Sequence, residues 1–211
     1  MVRTVYWVAA SLDGFVVGGP APFGPRSPGE PRSPGGPLSP GEPLRPGAPA
    51  GRSGDPWPED PSDQEFLSGV GAVAMGAGTY RTLLAVPESW PYGKIPVWVF
   101  TRHEFPGISG ADITFVRGDV EEFHPDIVYD AGEKNVLLAG GANLAGQFMD
   151  CGLIDEMFVT VVPVALGAGR PMLPVARATQ PGALLETRSE DRGLVQLHYG
   201  FGDARGRQAP A

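Results

Sequence analysis

The chain has 211 residues, 42% of them hydrophobic, with a formal net charge of −8, one cysteine and three histidines. Length and apolar content fit one domain with a real core. An acidic balance without any local Lys/Arg cluster excludes a sequence-independent grip on nucleic acid. The lone Cys151 cannot close an internal disulfide and reads as a buried core residue. His103, His124 and His198 have no spaced partners, so neither a metal site nor a histidine-based triad is expected.

The first element is VRTVYWVAAS, Val2 to Ser11, a strand that enters a turn at Ser11-Leu12-Asp13-Gly14. Its apolar run without clean alternation predicts a central strand buried on both faces. The run is broken by Asp13 and Gly14, is too short to span a membrane and lacks a following small-residue cleavage pattern, so a cytoplasmic protein is the default. From Pro22 to Pro49 proline falls at every third residue, with the hexapeptide pattern PGEPRS PGGPLS PGEPLR PGAP from Pro28. That period lines prolines along one edge of a polyproline II rod. Glycine comes in phase only every sixth residue, which excludes collagen. The segment reads as a Pro/Gly-rich insertion in a single domain, either a tolerated loop or a docking strip for an aromatic-grooved partner.

After the insertion, Pro61-Ser62-Asp63-Gln64-Glu65 carries a capping box, with Ser62 as N-cap, Glu65 three residues on, and Phe66, Leu67 and Val70 as the apolar face. Ala72 to Met75 predicts a short buried strand, Gly76-Ala77-Gly78 a glycine turn and Thr79 to Leu84 a helix. Ile95 to Phe100 and Ile113 to Val116 predict two more strands, and Val120 to Tyr129 a helix bent or shortened at Pro125. Val136 to Ala139 is a strand, Gly140-Gly141 a second glycine turn and Asn143 to Cys151 a helix. Leu153 to Val164 predicts a long strand. Leu184 to Arg188 and Leu194 to Tyr199 form a terminal pair joined at Arg192-Gly193. Strands alternating with helices imply an α/β sheet with an antiparallel finish. Both glycine turns precede a helix start, where free N–H groups and the positive end of the helix dipole suit an anion such as a cofactor pyrophosphate; a plain tight turn would use the same residues.

The blocks VAASLDGFVV, MGAGTYRTL, PVWVFTR, VLLAGGANLAGQF and LIDEMFVTVVPVALGAGRPML follow, in order, the pattern of the dihydrofolate reductase-like superfamily. They resemble most the branch related to the reductase domain of the riboflavin-pathway deaminase–reductase. The resemblance covers nearly all of the chain outside residues 18 to 56. It implies a three-layer α/β/α fold around a mixed, mostly parallel sheet. It also implies NADPH bound across that sheet, hydride transfer to a pterin or a ribosylated pyrimidine, and a homodimer.

Carried onto this sequence, the resemblance places Gly140, Gly141, Ala142, Asn143 and Leu144 around the cofactor pyrophosphate, and Gly76, Gly78 and Thr79 in a second phosphate-facing turn. Thr101 and Arg102 would lie under the adenosine ribose and its 2′-phosphate. A guanidinium binds phosphate through paired hydrogen bonds, which makes Arg102 the candidate for preferring NADPH; an ordinary strand-end arginine is the other reading. The superfamily's classical members have an arginine directly after the glycine corresponding to Gly76, where this sequence has Ala77, so Arg102 or Arg81 would have to compensate. Ala9 and Ala10 would sit beside the nicotinamide, Thr160 in the substrate–cofactor strand, and the loop after Asp13-Gly14 over the reacting ring. For Asp13, capping its own turn is an equal alternative. A substrate carboxylate is expected near Asp60, Asp63 or Glu65, with Asp63 the catalytic candidate, and Trp57 and Phe66 could stack on a flat heterocycle. The insertion begins where the resemblance puts the mobile loop that closes on nicotinamide. A different class of reading is a non-catalytic nucleotide-binding or interaction protein that displays the Pro-rich strip.

Overall fold

The computed structural model describes residues 1–17, 67–85, 90–189 and 193–202. Trp57, Asp60, Ser62, Asp63, Glu65, Phe66, Arg192 and the Pro-rich insertion lie outside the described residues. Within them the strands are β1 (Thr4–Ser11), β2 (Val70–Gly76), β3 (Val97–Phe100), β4 (Ile113–Val116), β5 (Asn135–Leu138), β6 (Glu156–Val162), β7 (Ala183–Ser189) and β8 (Val195–Gly200). The helices are α1 (Ala77–Leu84), α2 (Val120–Ala131) and α3 (Ala142–Asp150). All eight strands join one sheet in the order β4-β3-β2-β5-β1-β6-β8-β7. The strands from β4 to β6 in that order run parallel, and β8 lies antiparallel between β6 and β7. This is the mixed α/β sheet with an antiparallel finish that the sequence implies.

Period-two alternation explains how the central strands bury both faces. Ala72, Ala74, Val136, Leu138, Tyr6 and Val8 point to one face and pack with Ile127, Ala131, Leu144 and Phe148 of α2 and α3. Val73, Met75, Leu137, Val97 and Val99 point to the other and pack with Tyr80 and Leu83 of α1 and with Tyr92. The face under α2 and α3 carries the small side chains of β2 for a steric reason. A Cβ on Gly71 would lie 2.0 Å from the Ala131 carbonyl oxygen, so the end of α2 rests directly on the strand backbone. Likewise a Cβ on Gly146 of α3 would lie 2.2 Å from the Pro174 carbonyl oxygen, which presses the 170–174 segment onto that helix.

Several expected boundaries move, and two of these shifts follow from backbone donors. The strand expected from Ile95 starts at Val97, since Pro96 has no N–H to give to a ladder. The long strand expected over Leu153 to Val164 spans only Glu156–Val162, because the Leu153 N–H still closes α3 on the Phe148 carbonyl and Pro163 ends the ladder. The helix expected over Val120 to Tyr129, bent or shortened at Pro125, continues through that proline to Ala131. An interior proline costs about 3 kcal/mol or more. Burial of Ile127 and Ala131 against β2 offsets it.

The connection after β1 is tied to the connection after β6 by backbone and carboxylate together. Asp13 accepts hydrogen bonds from Ser11 Oγ at 2.6 Å and from the backbone N–H groups of Leu166 at 3.0 Å and Gly167 at 2.7 Å. The Leu12 N–H donates to the Val164 carbonyl, the Val16 N–H to Arg170 and the Met172 N–H to Gly14. These donors hold the exposed Asp13 carboxyl down at about 2.

Two outcomes follow for stability. Gly71→Ala should destabilise the fold by about 1–3 kcal/mol or more in urea titrations, since backbone must yield. Gly107→Ala, with open space around its Cβ position, should leave the midpoint in place; equal midpoints for the two variants would contradict the close approach of α2. Because the folded-state pKa of Asp13 is depressed, its contribution is present above the unfolded value of about 3.9 and is lost as pH falls toward about 2. Asp13→Asn should therefore flatten the stability profile across that window, and a profile that still matches the parent would remove the carboxylate from the clasp.

Candidate active site

The site starts from two strand ends. β2 passes at Gly76 straight into α1, and β5 passes through Ala139-Gly140-Gly141 into α3. β2 and β5 are parallel neighbours, so both turns leave the same edge of the sheet side by side. The Gly76 N–H donates to the Gly140 carbonyl at 2.9 Å and joins them. Gly140 holds φ +91°, a conformation that side chains other than glycine's rarely adopt, and its peptide bond to Gly141 is cis.

Gly76 and Gly141 are the N-caps of α1 and α3, and neither helix has a side-chain cap. The first-turn N–H groups of a helix have no intrahelical acceptor, and they lie at the positive end of its dipole. Two such helix starts thus open on one cavity of about 890 Å3.

Gly76, Gly78, Thr79, Thr101, Arg102, Gly141, Ala142, Asn143 and Leu144 all line this cavity. Gly140 stands behind the lining and holds Gly76 through its carbonyl. Ala9 and Ala10 are buried in β1, and neither reaches the cavity wall; the Ala9 carbonyl accepts the Val17 N–H at 2.9 Å. Thr160 is fully buried beside Ala9 in register, and its Oγ1 has no hydrogen-bond partner among the described residues. Asp13 is spent in the loop clasp. Arg81 points elsewhere, its guanidinium 5.6 Å from the Phe105 ring centroid, so it does not replace the charge missing at Ala77.

The charge comes instead from residues that sequence reading did not single out. Arg117, after β4, and Arg170, after β6, line the cavity together with Arg102. Arg117 Nη2 donates to the Arg102 carbonyl, which ties the ends of β3 and β4 together. Among the described residues none of the three guanidinium groups has a carboxylate partner within ion-pair distance. A chain of net charge −8 therefore gathers three arginines at one cleft, with Asp119 as the acidic residue in its lining. No signal short of the strand order could have found this, because the three come from separate segments.

A second unforeseen feature lies on the sheet face shared by Ala9 and Thr160. Trp7, Phe158 and His198 stand opposite one another on β1, β6 and β8. Trp7 and Phe158 stack at 5.0 Å between centroids, and Phe158 and His198 at 3.9 Å and 13°. Glu156 accepts from His198 Nε2 at 3.1 Å and from Arg3 Nη1; these two partners hold its carboxyl below the usual range. Period two was the available signal: Trp7 lies two residues before Ala9, and Phe158 two before Thr160.

Residues 90–195 match the RibD C-terminal domain family model. The chain is 30% identical over 140 residues to the Bacillus subtilis uncharacterized protein YwjB, an alignment that covers 66% of this chain and 79% of that protein. A crystal structure of a protein from Shewanella sp. PV-4 assigned to riboflavin biosynthesis superposes with TM-score 0.64 at 19% identity, covering 95% of this chain and 99% of that one. Dihydrofolate reductase from Enterococcus faecalis, complexed with NADP(H), superposes with TM-score 0.54 at 14% identity, covering 95% and 97%. The sheet order, the two helix starts and these likenesses agree: the fold is dihydrofolate reductase-like, and the chain belongs to the RibD C-terminal domain family.

Proposed function

We propose that the protein is an NADPH-dependent reductase that transfers hydride to a small planar nitrogen heterocycle, pterin- or pyrimidine-like, as a cytoplasmic homodimer. The observation that carries this reading is the convergence, on one cavity, of two helix starts without side-chain caps and three arginines that have no carboxylate partner among the described residues, in a chain of this family. The residues fit the cofactor. The cavity falls within the usual size of ligand clefts, about 300–1,000 Å3, and its donors suit phosphate at more than one point.

In this reading the first-turn N–H groups at Gly78 and at Ala142 and Asn143 hold the pyrophosphate, with Thr79 beside them in the lining. Arg102, with Arg117 bound to its carbonyl, faces the 2′-phosphate, and a bidentate guanidinium contact there favours NADPH over NADH. NADPH, when bound, supplies the hydride. The chain supplies placement: Trp7 and Phe158 offer a flat apolar face, Ala9 a small side chain next to it, and the Thr160 hydroxyl a buried hydrogen-bonding group. Asp13, ionised down to about pH 2 and engaged by three donors, anchors the loop beside the site and carries no proton to deliver near neutrality.

Titration of the tryptophan fluorescence should show saturable quenching by NADPH and much weaker quenching by NADH. Arg102→Gln should weaken NADPH binding roughly 10-fold or more while leaving NADH binding in place, as expected for one charge-assisted contact. Loss of NADPH absorbance in the presence of a pterin or a ribosylated pyrimidine then reads turnover directly. Equal affinity for the two dinucleotides, or none for either at millimolar concentration, would overturn the cofactor assignment.

A further inference from the structure

Arg170 differs from the other two arginines in where it stands and in what holds it. Its Nη1 lies 3.9 Å from the position a Cβ would take on Gly141, the N-cap of α3, so the guanidinium sits over the start of that helix. A cation beside the positive end of a helix dipole is an unfavourable arrangement on its own. No carboxylate among the described residues relieves it. An anion placed between guanidinium and helix start would be met by both at once, and the side chain is exposed and able to close on it.

The backbone of Arg170 is fixed from two sides. Its carbonyl accepts the Val16 N–H at 2.7 Å, Pro171 bridges to Phe15, and the Met172 N–H donates to Gly14 at 3.0 Å. On the inner side, the Met172 carbonyl accepts the Tyr6 hydroxyl at 2.9 Å, and the Pro174 carbonyl rests on Gly146 of α3. Gly169 is packed against Phe15, where a Cβ would come within 3.2 Å of the Phe15 Cβ. Among the described residues the side chain therefore has no carboxylate at its tip, and its base is held by residues of the connection after β1.

We infer that Arg170 clamps the pyrophosphate of the bound dinucleotide against the start of α3, and that contact with the Gly14–Val16 segment sets its reach. This rests on the nucleotide reading above for the identity of the ligand, though not for the presence of an anion site. It assigns separate tasks to the arginines: Arg170 to the pyrophosphate, Arg102 and Arg117 to the phosphate at the far end.

The test uses the full chain with inorganic pyrophosphate, NADPH and 2′-AMP as probes, read by melting temperature and by titration. Pyrophosphate should raise the melting temperature of the parent, as a ligand of the folded state does, and this rise should disappear in Arg170→Gln. NADPH affinity should fall roughly 10- to 100-fold in Arg170→Gln, as expected when a charge-assisted contact is lost, while 2′-AMP, which lacks the pyrophosphate, should bind as before. Arg170→Lys should retain part of the affinity as a point charge without the fork. Gly169→Ala, which keeps the guanidinium and displaces its base, should weaken pyrophosphate too; unchanged binding there would overturn the role of the Gly14–Val16 contact. Parent-like pyrophosphate and NADPH binding in Arg170→Gln would overturn the clamp and leave the nucleotide reading standing. Pyrophosphate binding that depends on Arg170, without NADPH binding by the parent, would keep the clamp and sink the nucleotide reading. A parent that binds neither pyrophosphate nor NADPH would overturn the clamp and the nucleotide reading together.

Discussion

The hydrogen bond from the Gly76 N–H to the Gly140 carbonyl is the constraint on which the site depends. It joins the ends of two parallel neighbours, β2 and β5, at the level where each turns into a helix. Parallel strands leave a sheet in the same direction, so the helices that follow present their N-termini together. Two dipoles and two sets of first-turn donors then act on the same few ångströms of space. Like-signed helix ends side by side repel, and the cleft they form is suited to an anion that satisfies both.

The packing beneath the sheet serves the same end. Gly71, Ala72 and Ala74 remove bulk from the face of β2, and α2 comes down until its last carbonyl meets the strand backbone. Gly146 does the same for α3 against Pro174 and thereby fixes the segment that carries Arg170. Close approach of helix to sheet is usually read as a stability device. In this chain the approach at Gly146 also sets where Arg170 stands at the rim of the cleft. The polar rim and the dry core are thus coupled through small residues, and the Asp13 clasp adds a third tie from the connection after β1.

Much of this was legible in the sequence because it is local. Glycine before a helix start, an apolar run buried on both faces and period-two alternation each declare themselves within ten residues. They located both turns and nearly every element. What escaped was of two kinds. Element ends depended on single backbone donors, as at Pro96 and Pro163, and on tertiary burial overriding a local penalty, as at Pro125. The other kind is convergence: Arg102, Arg117 and Arg170 lie in separate segments, and no window of sequence shows them as a cluster. The place of His198 beside Phe158 is likewise invisible until β8 is known to lie beside β6. Asp13 had two readings from sequence, and the three donors around its carboxylate favour the structural one.

The central claim is that the two glycine turns form one phosphate-binding surface. Amide hydrogen exchange on the full chain, with and without NADPH, tests it most directly, since bound phosphate must engage first-turn N–H groups of both helices. The account predicts slowed exchange in the presence of NADPH at Gly78 and, in the same titration, at Ala142 and Asn143. Slowing at one turn without the other, or at neither while NADPH binds, would contradict it.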